Sequence, residues 1–155
     1  MAHRAPIGIN ALAASILFSP SKAASYIASA NSGTHTACNS ASASDTCTIY
    51  CDKADDGASF SCGAAATCTV YCTEEKCMQS GIISAQNAQT LNVIASGNEC
   101  MKTATVYTPT SGDATLSLQS GGTKGFANMI VQGGSNAQSI TISCSESSDT
   151  VDECK

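Results

Sequence analysis

Thr46-Cys47-Thr48-Ile49-Tyr50-Cys51 returns further along the chain as Thr67-Cys68-Thr69-Val70-Tyr71-Cys72. A near-exact copy at this distance marks a repeat architecture, in which each unit buries its apolar face only against its neighbours. Weaker copies follow. Leu91 and Val93, Leu116 and Leu118, then Ile140 and Ile142 fall where Cys68 and Val70 fell, so the unit recurs at a nearly constant pitch. The pattern predicts an all-β fold, a single-stranded parallel β-helix (β-solenoid). The chain would hold about 6–7 coils with 21–25-residue repeats.

Alternation within the hexapeptide assigns its faces, because successive side chains of a strand point to opposite sides. Cys47, Ile49 and Cys51 share one side. The matching sets are Cys68/Val70/Cys72, Leu91/Val93/Ala95, Leu116/Leu118/Ser120 and Ile140/Ile142/Cys144. These are predominantly apolar and are read as the interior. A second apolar strand follows the first at a constant offset: Ile49 to Cys62, Val70 to Ile83, Val93 to Val106, Leu118 to Val131. Between strands lie turn formers: Asp55-Asp56-Gly57, Ser96-Gly97-Asn98, Gly121-Gly122 and Gly133-Gly134-Ser135-Asn136. Ile27 precedes Ile49 by one such period, which places a strand over 25–29 one coil earlier. The solenoid domain is therefore expected over 25–155. Residues 1–24 are left as an N-terminal coil, a capping helix or a subunit-linking segment. Their apolar stretch from Ile7 to Phe18 also has the form of a secretory leader.

Charged residues make up only 12% of the chain and Trp is absent, whereas Ser and Thr fill 39 of its positions. Small β-compatible side chains suit narrow coils, not helical bundles. A net charge of −5 with a single Arg excludes a phosphate-neutralising surface, so no nucleic-acid partner is expected. No membrane span is expected either. No acidic residue precedes Asp45, while Arg4 and Lys22 do, and Glu146, Asp149, Asp152 and Glu153 crowd the last ten positions. One end is mildly basic and the other acidic.

Ten cysteines point to an oxidising compartment, secreted or at the cell surface. Their spacings, with only His3 and His35 as further ligands, do not form a zinc signature, so no metal is expected. Adjacent coils of a parallel solenoid lie about 4.8 Å apart, within the reach of a disulfide. The columns then pair Cys47 with Cys68, Cys51 with Cys72 and Cys77 with Cys100. A small register shift pairs Cys38 with Cys62, and Cys144 is left to Cys154.

The outward columns read Thr46, Thr67, Thr90, Thr115, Ser139 and Thr48, Thr69, Asn92, Ser117, Thr141. They would stack as hydroxyl ladders, candidates for O-linked glycans because no N-x-[ST] sequon occurs. Thr-Cys-Thr on a disulfide-braced coil resembles the ice-binding strand of insect antifreeze β-solenoids, whose repeat is shorter. Cys-x-[Ile/Val]-Tyr-Cys with further corner cysteines resembles cysteine-rich parallel β-helix repeats of algal and oomycete surface proteins, among them components of extracellular fibres. The agreement spans about residues 45–107. That second resemblance implies structural material rather than an enzyme.

Catalytic machinery is not evident in the sequence. Arg4 stands alone, and the acidic corners Asp55/Asp56, Glu74/Glu75 and Glu99 are interleaved with Lys53, Lys76 and Lys102. They read as a charge-balanced solvated edge, with no cofactor. A solenoid whose last coil is uncovered exposes unpaired backbone groups and tends to polymerise. The expectation is a non-enzymatic subunit of a secreted filament that stacks head to tail. The alternative is a monomeric ice- or glycan-binding solenoid that uses the Thr ladders.

Overall fold

The computed structural model describes residues 23–29, 34–51, 56–119 and 128–145. They form eleven strands and no helix: β1 (Ser25–Ser29), β2 (Thr34–His35), β3 (Thr46–Cys51), β4 (Ser59–Ser61), β5 (Thr67–Cys72), β6 (Ile82–Ser84), β7 (Thr90–Ala95), β8 (Thr105–Tyr107), β9 (Asp113–Gln119), β10 (Ile130–Gln132) and β11 (Ser139–Ser145). Odd-numbered strands build one parallel sheet, in the order β1-β3-β5-β7-β9-β11. Even-numbered strands build a second, in the order β10-β8-β6-β4-β2. Two walls that alternate along the chain, each paired in parallel with the winding before it, are a β-solenoid. Fewer than six complete windings lie within the described residues, against the 6–7 expected.

Register follows the repeat. Thr46 pairs with Thr67 and Cys51 with Cys72, and Val70 lies opposite Val93. Alternate residues of β3, β5 and β7 are buried, as period-two patterning requires. Ile49, Val70, Val93 and Leu116 stack as one interior column, each at most 1% exposed. The opposite wall contributes Phe60, Ile83 and Val106, also buried. Each such side chain, taken fully out of water, contributes about 1.5–3 kcal/mol.

Four registers differ from expectation. β9 begins at Asp113, so Leu91 meets Ala114 and Val93 meets Leu116; the expected alignment is displaced by two residues. The corner fixes this, because Asp113 N–H donates to Gln89 O (3.1 Å) immediately after Gly112. An even slip keeps the buried face, and for that reason the alternation alone cannot reveal it. β11 then pairs Ile140 with Ala114 and Ile142 with Leu116, a longer step than the sequence spacing implied.

In β1 the slip is one residue. Ala28, not Ile27, stands opposite Ile49. The cause is Asp45, whose Oδ1 accepts from Ala24 N–H (2.8 Å) while Thr46 N–H donates to Ala24 O (2.9 Å). These bonds place Ser25 beside Thr46. Finally, Phe60 rather than Cys62 is the strand residue opposite Ile83, which leaves Cys62 in the corner.

Candidate functional site

The cysteines show how the corners work. Disulfides join Cys38 to Cys47 and Cys62 to Cys68, with Cα separations of 5.8 and 5.7 Å. This corrects the expected Cys47–Cys68 and Cys38–Cys62 pairs. Column neighbours in parallel strands have the right spacing, but their Cα–Cβ bonds run side by side. A corner cysteine and the following strand cysteine face each other, and convergence is what the bond requires. Gly63 permits the tight corner that carries Cys62: its φ is +56°, and a Cβ there would collide with the Cys38 carbonyl.

Cys51 stands beside Cys72 as expected, but Cys51, Cys72, Cys77 and Cys100 form one cluster of thiols rather than the expected Cys51–Cys72 and Cys77–Cys100 disulfides. The sulfurs of Cys51, Cys72 and Cys77 lie within 4.8 Å of one another. Cys100 contacts both Cys72 and Cys77, and its thiol donates to the Cys72 carbonyl at 3.0 Å. All four are at most 4% exposed. Contact with the Cys100 thiol, then with Cys51 and Cys77, together with burial, pushes the Cys72 thiol well above its usual range. At Cys100 the hydrogen bond with Cys72 acts downward, yet contact with Cys77 and burial leave that thiol raised as well.

The corner loops around this cluster are unusual. Lys76 and Met78 flank Cys77 in the left-handed region (φ 59° and 51°), and Glu99 and Met101 flank Cys100 in the same way (53° and 57°). That conformation costs a non-glycine residue roughly 1–2 kcal/mol. The two corners are copies in successive windings, joined by Met101 N–H to Cys77 O (3.0 Å) and Lys76 N–H to Asn98 O (2.7 Å). Met78 and Met101 are fully buried. The sequence analysis placed Cys51 beside Cys72 and Cys77 beside Cys100 in separate columns, and it missed the four-sulfur cluster because the period relates residues within a column and not columns to one another.

On the outer face of the long sheet the register gives Thr46/Thr67/Thr90/Asp113/Ser139 and Thr48/Thr69/Asn92/Thr115/Thr141. The two-residue displacement of β9 moves Thr115 into the second column and Ser117 into a third, Tyr50/Tyr71/Ile94/Ser117/Ser143. The expected first ladder is thus interrupted by Asp113. Tyr50 and Tyr71 stack with ring centroids 5.1 Å apart and planes 10° from parallel. Above them a shallow hollow of about 380 Å³ is lined by Thr69, Tyr71, Asn92, Val93, Ile94 and Thr115.

Acidic corner residues take local partners. Asp56 Oδ1 accepts from Ser80 Oγ (2.9 Å), Glu99 Oε2 from Gln79 Nε2 (2.8 Å), and Glu75 pairs with Lys76 at 3.8 Å. Three of the five exposed large apolar side chains, Ile130, Ile140 and Ile142, lie on the outermost strands β10 and β11, while Tyr50 and Ile82 lie on β3 and β6. Ile142 is 50% exposed and Ile140 39%, although both stand at interior register positions on β11, the outermost strand of its sheet. Ile130 on β10, outermost on the other wall, is 52% exposed. Arg4, Lys22, Glu146, Asp149, Asp152, Glu153 and Cys154 lie outside the described residues. Cys144 stands at the register position of Leu118. Among the described residues no helix is long and apolar enough to cross a membrane.

Comparison of the chain with protein families, curated proteins and solved structures finds no match.

Proposed function

We propose that the protein is a structural, non-catalytic subunit of a secreted filament, its solenoids stacking head to tail. One observation carries this reading. The outermost winding presents Ile140 and Ile142, interior-column residues, to solvent on a strand whose far edge takes no partner among the described residues. A parallel edge that extends an interior column is the template for another winding of the same kind. A second copy entering through its β1 edge would continue both the ladder and the column. Such a contact joins unlike surfaces and does not close, so it propagates. Two disulfides within the coils accord with an oxidising environment. The exposed hydroxyls of Thr46, Thr115, Ser139 and Thr141 are the positions proposed for O-linked glycans.

Negative-stain microscopy and light scattering test the assembly. The wild-type chain under oxidising conditions should form rods, and Ile142→Lys should leave dispersed particles with an unchanged melting temperature. Particles that stay monomeric at high concentration would refute it.

The stacked Tyr50–Tyr71 pair beside Thr69, Asn92 and Thr115 favours a second reading, a glycan-binding face. Aromatic rings offer an apolar platform and the hydroxyls offer hydrogen bonds. Asn92 and Asp113 break the regularity that an ice-binding ladder needs. Saturation-transfer NMR with neutral oligosaccharides would detect glycan binding, and loss of the signal in Tyr71→Ala would place it. Thermal hysteresis would instead restore the ice reading.

A further inference from the structure

We propose that Cys51, Cys72, Cys77 and Cys100 form a metal centre for one thiophilic d10 cation, with Zn²⁺ as its representative. This is independent of filament assembly. The convergence of the sulfurs carries it. Each disulfide-bonded cysteine faces one partner across a corner, whereas here three sulfurs lie within 4.8 Å of one another and Cys100 contacts two of them. In a tetrahedral tetrathiolate site, Zn–S bonds of about 2.3 Å set the sulfurs about 3.8 Å apart. Inward side-chain adjustments of about 1 Å on that scale bring the three closest sulfurs to it. An all-sulfur ligand set selects zinc, copper(I) or iron–sulfur chemistry over hard cations.

The scaffold around the cluster is built to hold these sulfurs. Cys51 and Cys72 sit on paired strands in register. Cys77 and Cys100 project from two copied corners, each bracketed by a pair of left-handed non-glycine residues. Strained backbone persists where its surroundings over-determine it, and it collects at sites with a task. The Gly97 N–H donates to the Cys72 carbonyl at 3.3 Å, the same carbonyl that accepts from the Cys100 thiol. Buried Met78 and Met101 belong to the same corners and add to the apolar interior.

Coordination is an exchange without electron transfer. Four S–H bonds break, four Zn–S bonds form, and four protons leave to solvent.

The test uses the full chain as purified, with metal content measured beside alkylation of unfolded protein. The expected result is about one Zn²⁺ per chain, with four cysteines alkylated only after unfolding and chelation. Replacing Zn²⁺ by Co²⁺ should give the visible bands of a tetrahedral thiolate complex. Cys77→Ser and Cys100→Ser should each weaken zinc binding at least about 10-fold. The double variant Cys38→Ser/Cys47→Ser should leave the stoichiometry unchanged. Because the serine variants could fail to fold, the Co²⁺ spectrum of the wild-type chain stands as a separate readout. Recovery of the four cysteines as two disulfides without metal would overturn the proposal, as would metal that remains at full affinity in both single variants.

Discussion

Asp45 illustrates how one side chain can set the geometry of two windings. Its carboxylate accepts from Ala24 N–H (2.8 Å), Ser42 N–H (2.7 Å) and Ser42 Oγ (2.7 Å), and its own carbonyl accepts from Ala66 N–H (2.9 Å). The Ser42 backbone hydrogen bond, then that of Ala24 and the Ser42 hydroxyl, hold its carboxyl below the ordinary Asp range. A group with a depressed folded pKa stabilises the fold above its unfolded value and ceases to do so as pH falls through the folded one. Stability should therefore drop as pH falls from about 4. In Asp45→Asn the neutral-pH stability should be lower and this acid-side slope shallower, as urea unfolding across that range would show. The disulfides act at the same scale. Cys38→Ser opens the short loop closed by the Cys38–Cys47 bridge and should cost about 2–3 kcal/mol in urea unfolding. Gly63→Ala should also destabilise, because both its φ of +56° and the Cys38 carbonyl exclude a Cβ.

Strands β3, β5 and β7 divide into an inward and an outward set, and substitutions there should follow the division. Leu91→Ala empties a fully buried position of β7 and should cost about 2–5 kcal/mol. Asn92→Thr, one residue further on the outer face, should shift stability by less than about 0.5 kcal/mol; similar losses at both sites would refute the facing. Much of this was legible beforehand. The repeated Thr-Cys-Thr-x-Tyr-Cys fixed β3 against β5, and period-two alternation identified the core of β7. What was not legible shares a cause. In β9 a two-residue slip preserves every facing, so Leu116/Leu118 and Ala114/Leu116 fit the pattern equally well. In β1 the register is decided by the Asp45 carboxylate, a polar contact that hydrophobic spacing does not report. The disulfides were misjudged because spacing along a column says nothing of the direction in which a Cβ points.

At the scale of the molecule, the consequence of the fold is that an interior column can be extended. The windings are joined by backbone ladders and by side chains stacked on their copies, and neither device needs the next winding to belong to the same chain. In the filament proposed above, Ile140 and Ile142 are the interior-column residues on which a second copy would continue the stack. Fibre diffraction from an oriented, concentrated preparation measures the stacking directly. The account predicts a meridional reflection near about 4.8 Å, the strand spacing, along the long axis of the assembly. An isotropic pattern from dispersed monomers, or the same spacing found only perpendicular to the axis, would contradict it.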